Sequence, residues 1–250
     1  MRYGVCTGDP AGVATAAKLG FDYVEAGFAK FAEAGEDLAV FRKALAEYQI
    51  PCESANCFIP GSLKITGPDV DPKALAAYIG KGMYNAAATG LKTVVFGSGG
   101  ARQIPAGFPY DQAIRQIITF LRDIVEPVAA KYDITVVVEP LCDCNVIRSV
   151  REGAAIAAAA DAGHVRLLGD LFHMAKMGDT HEDILAVGAM LRHAHIAEPT
   201  KRVFPAPGDG FDYKPFLQAL EAVGCPRCSV EAGTKDFNTD AAAAIAVLKG

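Results

Sequence analysis

Four side chains in this sequence are placed to do chemistry together: Glu139, Asp170, His195 and Glu231. Each sits at or near the end of a short apolar run. Glu139 ends Thr-Val-Val-Val-Glu, Asp170 ends Arg-Leu-Leu-Gly-Asp, His195 lies in His-Ala-His-Ile-Ala-Glu and Glu231 ends Cys-Ser-Val-Glu. Their separations of 31, 25 and 36 residues are close to the ~30 residues of one strand with its crossover helix and loops. If these runs are successive parallel strands, each delivers one polar group to the same mouth. Three carboxylates gathered in a low-dielectric mouth repel one another, and a divalent cation is the simplest compensation. Three oxygen donors and one imidazole make a hard, mixed site that suits Mn2+ first, with Mg2+ or Co2+ next, better than a structural thiolate zinc.

The elements that must hold these groups alternate along the whole chain. Strands are expected at Tyr3–Cys6, Tyr23–Gly27, Cys52–Cys57, Thr93–Gly97, Thr135–Pro140, Arg166–Asp170, His193–Ala197 and Cys228–Ala232. Amphipathic helical stretches separate them at 38–48, 73–88, 110–131, 149–162, 180–191, 212–223 and 239–248, several opened by Asp, Ser or Thr as N-caps. No linker or composition shift marks a boundary, so residues 1–250 read as one domain. Eight βα units in 250 residues match a closed (β/α)8 TIM barrel better than an open doubly wound sheet, which shows similar alternation. Period-two alternation then turns Glu139, Val137 and Thr135 inward and leaves Val136 and Val138 for the outer helices. By the same count His193 faces inward with His195, and Ser229 with Glu231.

Composition narrows the partners. With 51% hydrophobic and 21% charged residues the chain is not a disordered one. A net charge of −5, from 24 basic and 29 acidic side chains with no basic block, argues against a nucleic-acid partner. No apolar run reaches the ~18 residues of a membrane span, and the opening MRYGVCTGDP lacks the apolar core of a signal peptide, so a cytoplasmic protein without membrane partners is expected. Whether it forms a homo-oligomer is open, because the helical faces are too Ala-rich to show an interface. Seven cysteines, an odd number, argue for free thiols. The pairs Cys225/Cys228 and Cys142/Cys144 fall at opposite ends of the expected sheet, which favours small buried thiols over a zinc or redox site.

Several motifs resemble the xylose-isomerase-like group of sugar isomerases and epimerases, especially ketose 3-epimerases and hydroxypyruvate isomerases. The carriers are Val-Glu-Pro-Leu at 138–141, Gly-Asp-Leu-Phe-His-Met at 169–174, His-Ala-His-Ile-Ala-Glu at 193–198, Pro-Gly-Asp-Gly at 207–210 followed by Asp212 and Tyr213, and Ser-Val-Glu at 229–231. The resemblance covers nearly the whole chain. It implies that Glu139, Asp170, His195 and Glu231 bind one metal ion and that His173, three residues after the aspartate, contacts a substrate oxygen. It also implies a mechanism: the metal polarises a ketose and stabilises an enediolate, while Glu139 and Glu231 act as acid and base on the carbon between them. Proton return to the far face gives epimerisation; transfer between adjacent carbons gives aldose–ketose isomerisation. A sugar, sugar acid or sugar phosphate all suit this scheme.

Departures from the group's pattern bear on substrate, and the first of them argues against a free ketohexose. Its 3-epimerases carry a glutamate six residues after the first metal glutamate, where this chain has Asn145, and an arginine six residues after the metal histidine, where it has Lys201 followed by Arg202. Lys201 and Arg202 are both candidate substrate contacts, with a solvated basic pair as the alternative. Glu25 and Glu53 either line the same cavity or pair with basic neighbours; of the two, Glu53 is assigned the supporting contact to substrate. Gly97-Ser-Gly-Gly100 lacks phosphate-loop spacing and reads as a tight loop at the mouth. His164 and His181 read as solvated. The main alternative activity is metal-dependent dehydration of a keto-polyol, as in inosose and dehydroshikimate dehydratases. An endonuclease IV-like trinuclear zinc site needs more histidines than the five present, none of which precedes residue 164. A non-catalytic sugar-binding barrel is the remaining reading.

Overall fold

A computed structural model describes all 250 residues. Eight strands, β1 (Arg2–Cys6), β2 (Tyr23–Gly27), β3 (Cys52–Asn56), β4 (Thr93–Phe96), β5 (Thr135–Val138), β6 (Val165–Asp170), β7 (Leu191–Ile196) and β8 (Arg227–Val230), pair in parallel in sequence order, and β8 closes on β1. The expected barrel is the observed one, with strand ends within two residues of the sequence reading. The outer ring comprises α1 (Pro10–Leu19), α2 (Ala29–Glu33), α3 (Glu36–Tyr48), α4 (Pro72–Thr89), α5 (Gly99–Arg102), α6 (Tyr110–Thr119), α7 (Glu126–Tyr132), α8 (Val150–Ala160), α9 (Leu171–Met177), α10 (His181–Val187), α11 (Lys214–Ala222) and α12 (Phe237–Lys249).

Four helices go beyond the sequence reading: α1, α2, α5 and α9. The first carries a legible signal, Asp9-Pro10, in which the Asp9 carboxylate accepts the Gly12 N–H at 2.9 Å and proline occupies the first turn. The other three are one-turn to two-turn insertions after strands, too short for periodicity to register. The long stretch at 110–131 is one helical rod interrupted by a π segment, Phe120–Val125. Pro127 lies two residues beyond it, in the first turn of α7; it has no N–H for the α ladder, and the widened turn before it accommodates that loss.

The core divides in two. A continuous apolar layer, which includes Val136 and Val138, fills the space between strands and helices. Inside the barrel, Val95, Val137 and Leu168 form a small separate apolar cluster on one side. The opposite side is polar: Tyr23, Ser54, His193 and Ser229 are fully buried there. The inward and outward assignment of Val136, Val137 and Val138 follows from the period of two. No helix is long and apolar enough to cross a membrane.

Candidate metal centre

The four residues picked out by spacing meet at the C-terminal ends of β5 to β8. Glu139, Asp170, His195 and Glu231 each offer a ligand atom, and these atoms lie within 4.8 Å of one another. His195 Nδ1 is the hub, 3.1 Å from Glu139 Oε1, 3.3 Å from Glu231 Oε2 and 3.9 Å from Asp170 Oδ2. Asp170 splits its oxygens between two tasks. Oδ1 caps α9 by accepting the N–H groups of Phe172 and His173 at 2.7 and 3.1 Å, whereas Oδ2 is buried with no hydrogen-bond partner and turns toward the cluster.

The electrostatics fit a cation. Burial opposes charging His195, but the carboxylates of Glu231 and Glu25 outweigh it and raise the imidazole well above its usual range. Burial likewise works against Glu231 ionising, yet His195 holds its carboxyl down to about 2. Burial and the neighbouring Glu139 push Asp170 up to about 7, and burial and Glu231 raise Glu139. In the metal-free chain a protonated imidazole therefore serves as the positive charge among three carboxylates. A divalent ion held there would supply that positive charge in its place, with His195 Nδ1 and the unpartnered Asp170 Oδ2 among the atoms available to it. Glu139, Asp170, His195 and Glu231 would hold it.

Close packing sets the position of two of these carboxylates. Gly97, just after β4, has no side chain, and a Cβ there would lie 2.2 Å from Glu139 Oε2. Glu231 is gripped from both sides: Asn56 Nδ2 donates to Oε1 at 2.8 Å and Arg202 Nη2 donates to Oε2 at 3.0 Å. The Arg202 guanidinium also stacks over Phe172, 5.0 Å from the ring centroid. His173 Nδ1 accepts the Cys142 backbone N–H at 3.2 Å, and its Nε2 is buried without a partner. Burial, aided by the Arg202 charge, pushes His173 down to about 4, so it is neutral and its Nε2–H is free to donate.

The cavity above the cluster has a volume of about 420 Å3; its lining includes Cys57, Tyr78, Asp143, His173, Arg202 and the Gly97–Gly100 loop. A larger groove of about 880 Å3 lies elsewhere, between residues 206–221 and the end of α12, but it contains none of the candidate ligand cluster, whereas Glu139 and Glu231 line the smaller cavity. The glycine loop is at the mouth, as expected, with Ser98 in the left-handed region and α5 following at once.

Four sequence assignments need correction. Glu53 is not at the mouth: near the start of β3 it pairs with Arg2 at 2.8 Å and Arg227 at 2.7 Å, both at the strands' N-terminal end. An inward carboxylate does occur one strand earlier, at Glu25, which bonds His193 and His195; period two could have found it, since Glu25 shares a face with Tyr23. Lys201 is exposed and touches the site through no side-chain contact, its backbone N–H donating to Glu198, so Arg202 alone of the basic pair reaches the cluster. The thiols are all free, but not all buried: Cys6 and Cys142 are half-buried and Cys57 is exposed. His164 pairs with Glu126 at 2.9 Å rather than facing only solvent. Asn56 escaped the sequence reading, although a polar residue closing an expected strand is the same signal that marked Glu139. Asn145, a departure from the group's pattern, brackets Ile104 instead, accepting its N–H at 3.0 Å and donating to its carbonyl at 2.9 Å.

A closed eight-stranded barrel with its polar cluster at the strand C-termini is the class of protein defined here. The chain belongs to the xylose isomerase-like TIM barrel family, whose model matches residues 13–250. Among solved structures it is similar to a D-psicose 3-epimerase crystallised in the presence of D-fructose, at 21% identity and TM-score 0.82, covering 100% of both chains. It is also similar to the 3-keto-D-glucoside 4-epimerase YcjR from E. coli, at 19% identity and TM-score 0.83, covering 100% of this chain and 99% of that one. The IolI protein with a bound zinc atom follows at 17% identity and TM-score 0.72, covering 100% and 96%. At these identities the likeness establishes the fold. No curated protein sequence matches the chain.

Proposed function

We propose that this protein is a divalent-metal-dependent isomerase or epimerase of an uncharged sugar, with Glu139 and Glu231 exchanging a proton at the carbon beside the carbonyl. The observation that carries this reading is the convergence of those two carboxylates, from β5 and β8, on His195 Nδ1 at 3.1 and 3.3 Å under one cavity. A bound Mn2+ would supply the positive charge that stabilises an enediolate. Glu139, whose carboxyl burial raises above its ordinary range, suits the role of the base. Glu231, clamped by Asn56 and Arg202, suits the partner that returns a proton from the other side. The free Nε2–H of His173 is placed to donate to a substrate oxygen.

Charge favours an uncharged substrate over a phosphate or a sugar acid. Arg202 is the one cationic side chain lining the cavity, it is already bonded to Glu231, and Asp143 adds a negative charge to the same wall. The solved relatives are in keeping with a free sugar: one is an epimerase crystallised with D-fructose and another a D-allulose 3-epimerase in complex with D-allulose.

The test is solvent exchange. Purified protein loaded with Mn2+ is incubated with a panel of free ketoses in deuterated water, and deuterium at the carbon next to the carbonyl is read by mass spectrometry and NMR. Incorporation is expected for at least one ketose and should vanish in Glu139→Gln and in Glu231→Gln. Loss of water from a keto-polyol without exchange would instead establish the dehydratase reading. No exchange and no dehydration across the panel would overturn both.

A further inference from the structure

We propose that Glu25 is the positioning residue of the metal centre: by holding His195 Nε2 from inside the barrel, it fixes Nδ1 as the nitrogen that faces the ligand cluster. This rests on the metal reading above and adds a residue that ligand spacing does not reveal. His195 Nε2 lies 2.9 Å from Glu25 Oε1, while Nδ1 faces Glu139, Asp170 and Glu231. An ionised carboxylate can only accept, so Nε2 keeps its hydrogen against Glu25; in the metal-free imidazolium Nδ1 is protonated as well, and its proton is the one a metal ion would replace. Carboxylate–imidazole–metal arrays of this kind set ring orientation and raise ligand basicity.

Glu25 has no freedom to release the ring. Its Oε2 accepts from His193 Nε2 at 2.8 Å and from Ser229 Oγ at 2.7 Å, and Ser229 is in turn bonded to the Tyr23 hydroxyl at 2.7 Å. Ser54 Oγ lies 3.4 Å from His193 Nε2 and completes the group. All of these residues are at most 1% exposed. The donors to Glu25 come from β7 and β8, whereas Glu25 itself stands on β2, so the network spans the barrel interior beneath the mouth. A bare anion buried this deeply would be prohibitive; three donors make it tolerable, and its orientation is then dictated by them. Glu25 does not line the cavity and cannot touch substrate, which separates its role from those of Glu139 and Glu231.

The experiment uses the full-length, 15N-labelled protein loaded with Zn2+, a diamagnetic probe. Long-range 1H–15N correlation spectra identify which His195 ring nitrogen is protonated. The expected pattern is protonated Nε2 and metal-shifted Nδ1; the reverse tautomer overturns the proposal. In parallel, Zn2+ affinity is measured by competition with a chelating dye for Glu25→Gln and for Glu53→Gln, the same change at the barrel's other end. Glu25→Gln should bind Zn2+ about 10- to 100-fold more weakly, while Glu53→Gln stays within about twofold of wild type. Unchanged affinity in a folded Glu25→Gln protein overturns the proposal, and should that variant not fold, the wild-type spectrum decides alone. Wild type that takes up no zinc defeats both this proposal and the metal reading; zinc held with the expected tautomer but no proton exchange on any ketose defeats only the functional one.

Discussion

Replacing Gly97 with alanine should disable the site without unfolding the barrel. The added Cβ would stand 2.2 Å from Glu139 Oε2 and 3.3 Å from its Cδ, while the next neighbour, Leu141 Cδ2, is at an ordinary 3.7 Å. Gly97 is not among the residues with positive φ, so alanine meets no backbone penalty there. The whole conflict therefore falls on one carboxylate. To reach ordinary contact, near 3.4 Å, that oxygen must move by about 1 Å, which displaces the carboxylate whose Oε1 is bonded to His195 Nδ1. A misplacement of ~1 Å in a reacting group costs on the order of 100-fold in rate, while the side chain's freedom to swing keeps the stability loss below the ~1–3 kcal/mol of a true overpacking clash. Deuterium exchange with Mn2+ present, Mn2+ titration and thermal unfolding together read these effects. Expected are about 100-fold slower exchange, weakened metal binding and a melting temperature near wild type. Full exchange and full affinity in Gly97→Ala would refute the placement of Glu139 against β4 and with it the geometry argued for the cluster.

Other consequences are as direct. Asp170, held at about 7 in the metal-free chain by burial and Glu139, is largely protonated below that pH and must lose its proton to ligate, so Mn2+ affinity should fall as pH drops below about 7, which titrations on either side will show. Because this carboxyl is raised above its unfolded value, the metal-free protein binds more protons than the unfolded chain between the two values and should lose stability as pH rises toward 7, a trend that added Mn2+ should reverse in thermal melts. Arg202→Ala removes a charge-assisted bond of roughly 1.5–3 kcal/mol to Glu231 and should slow exchange on the order of 10- to 100-fold, while Lys201→Ala, lacking any contact with the site, should leave it unchanged. Asn145→Ala loses both bonds to Ile104 and should lower stability by about 1 kcal/mol with little effect on exchange, where a residue gripping the sugar would do the reverse.

Much of this molecule is legible from local order. Strand alternation and the distances between Glu139, Asp170, His195 and Glu231 suffice to place four candidate ligands at one mouth, because a parallel barrel puts every strand end on the same rim and period two decides which side chains turn in. What fails is what depends on depth along a strand and on neighbours remote in sequence. Glu25 and Glu53 both lie on early strands, yet one sits midway up the barrel against His193 and His195 and the other near the bottom against Arg2 and Arg227. Strand stagger settles that difference, and no run of residues encodes it. Lys201 and Arg202 are adjacent, and only the left-handed backbone at Arg202, with Phe172 beneath its guanidinium, decides which enters the site. The sequence by itself thus determined the barrel and the chemical kinds gathered at its rim, since both follow from short-range periodicity. Which carboxylate orients the histidine, which base touches Glu231 and how closely Gly97 must approach Glu139 were decided by tertiary structure alone, because these are contacts between strands and loops whose heights and angles are set by closure of the whole barrel.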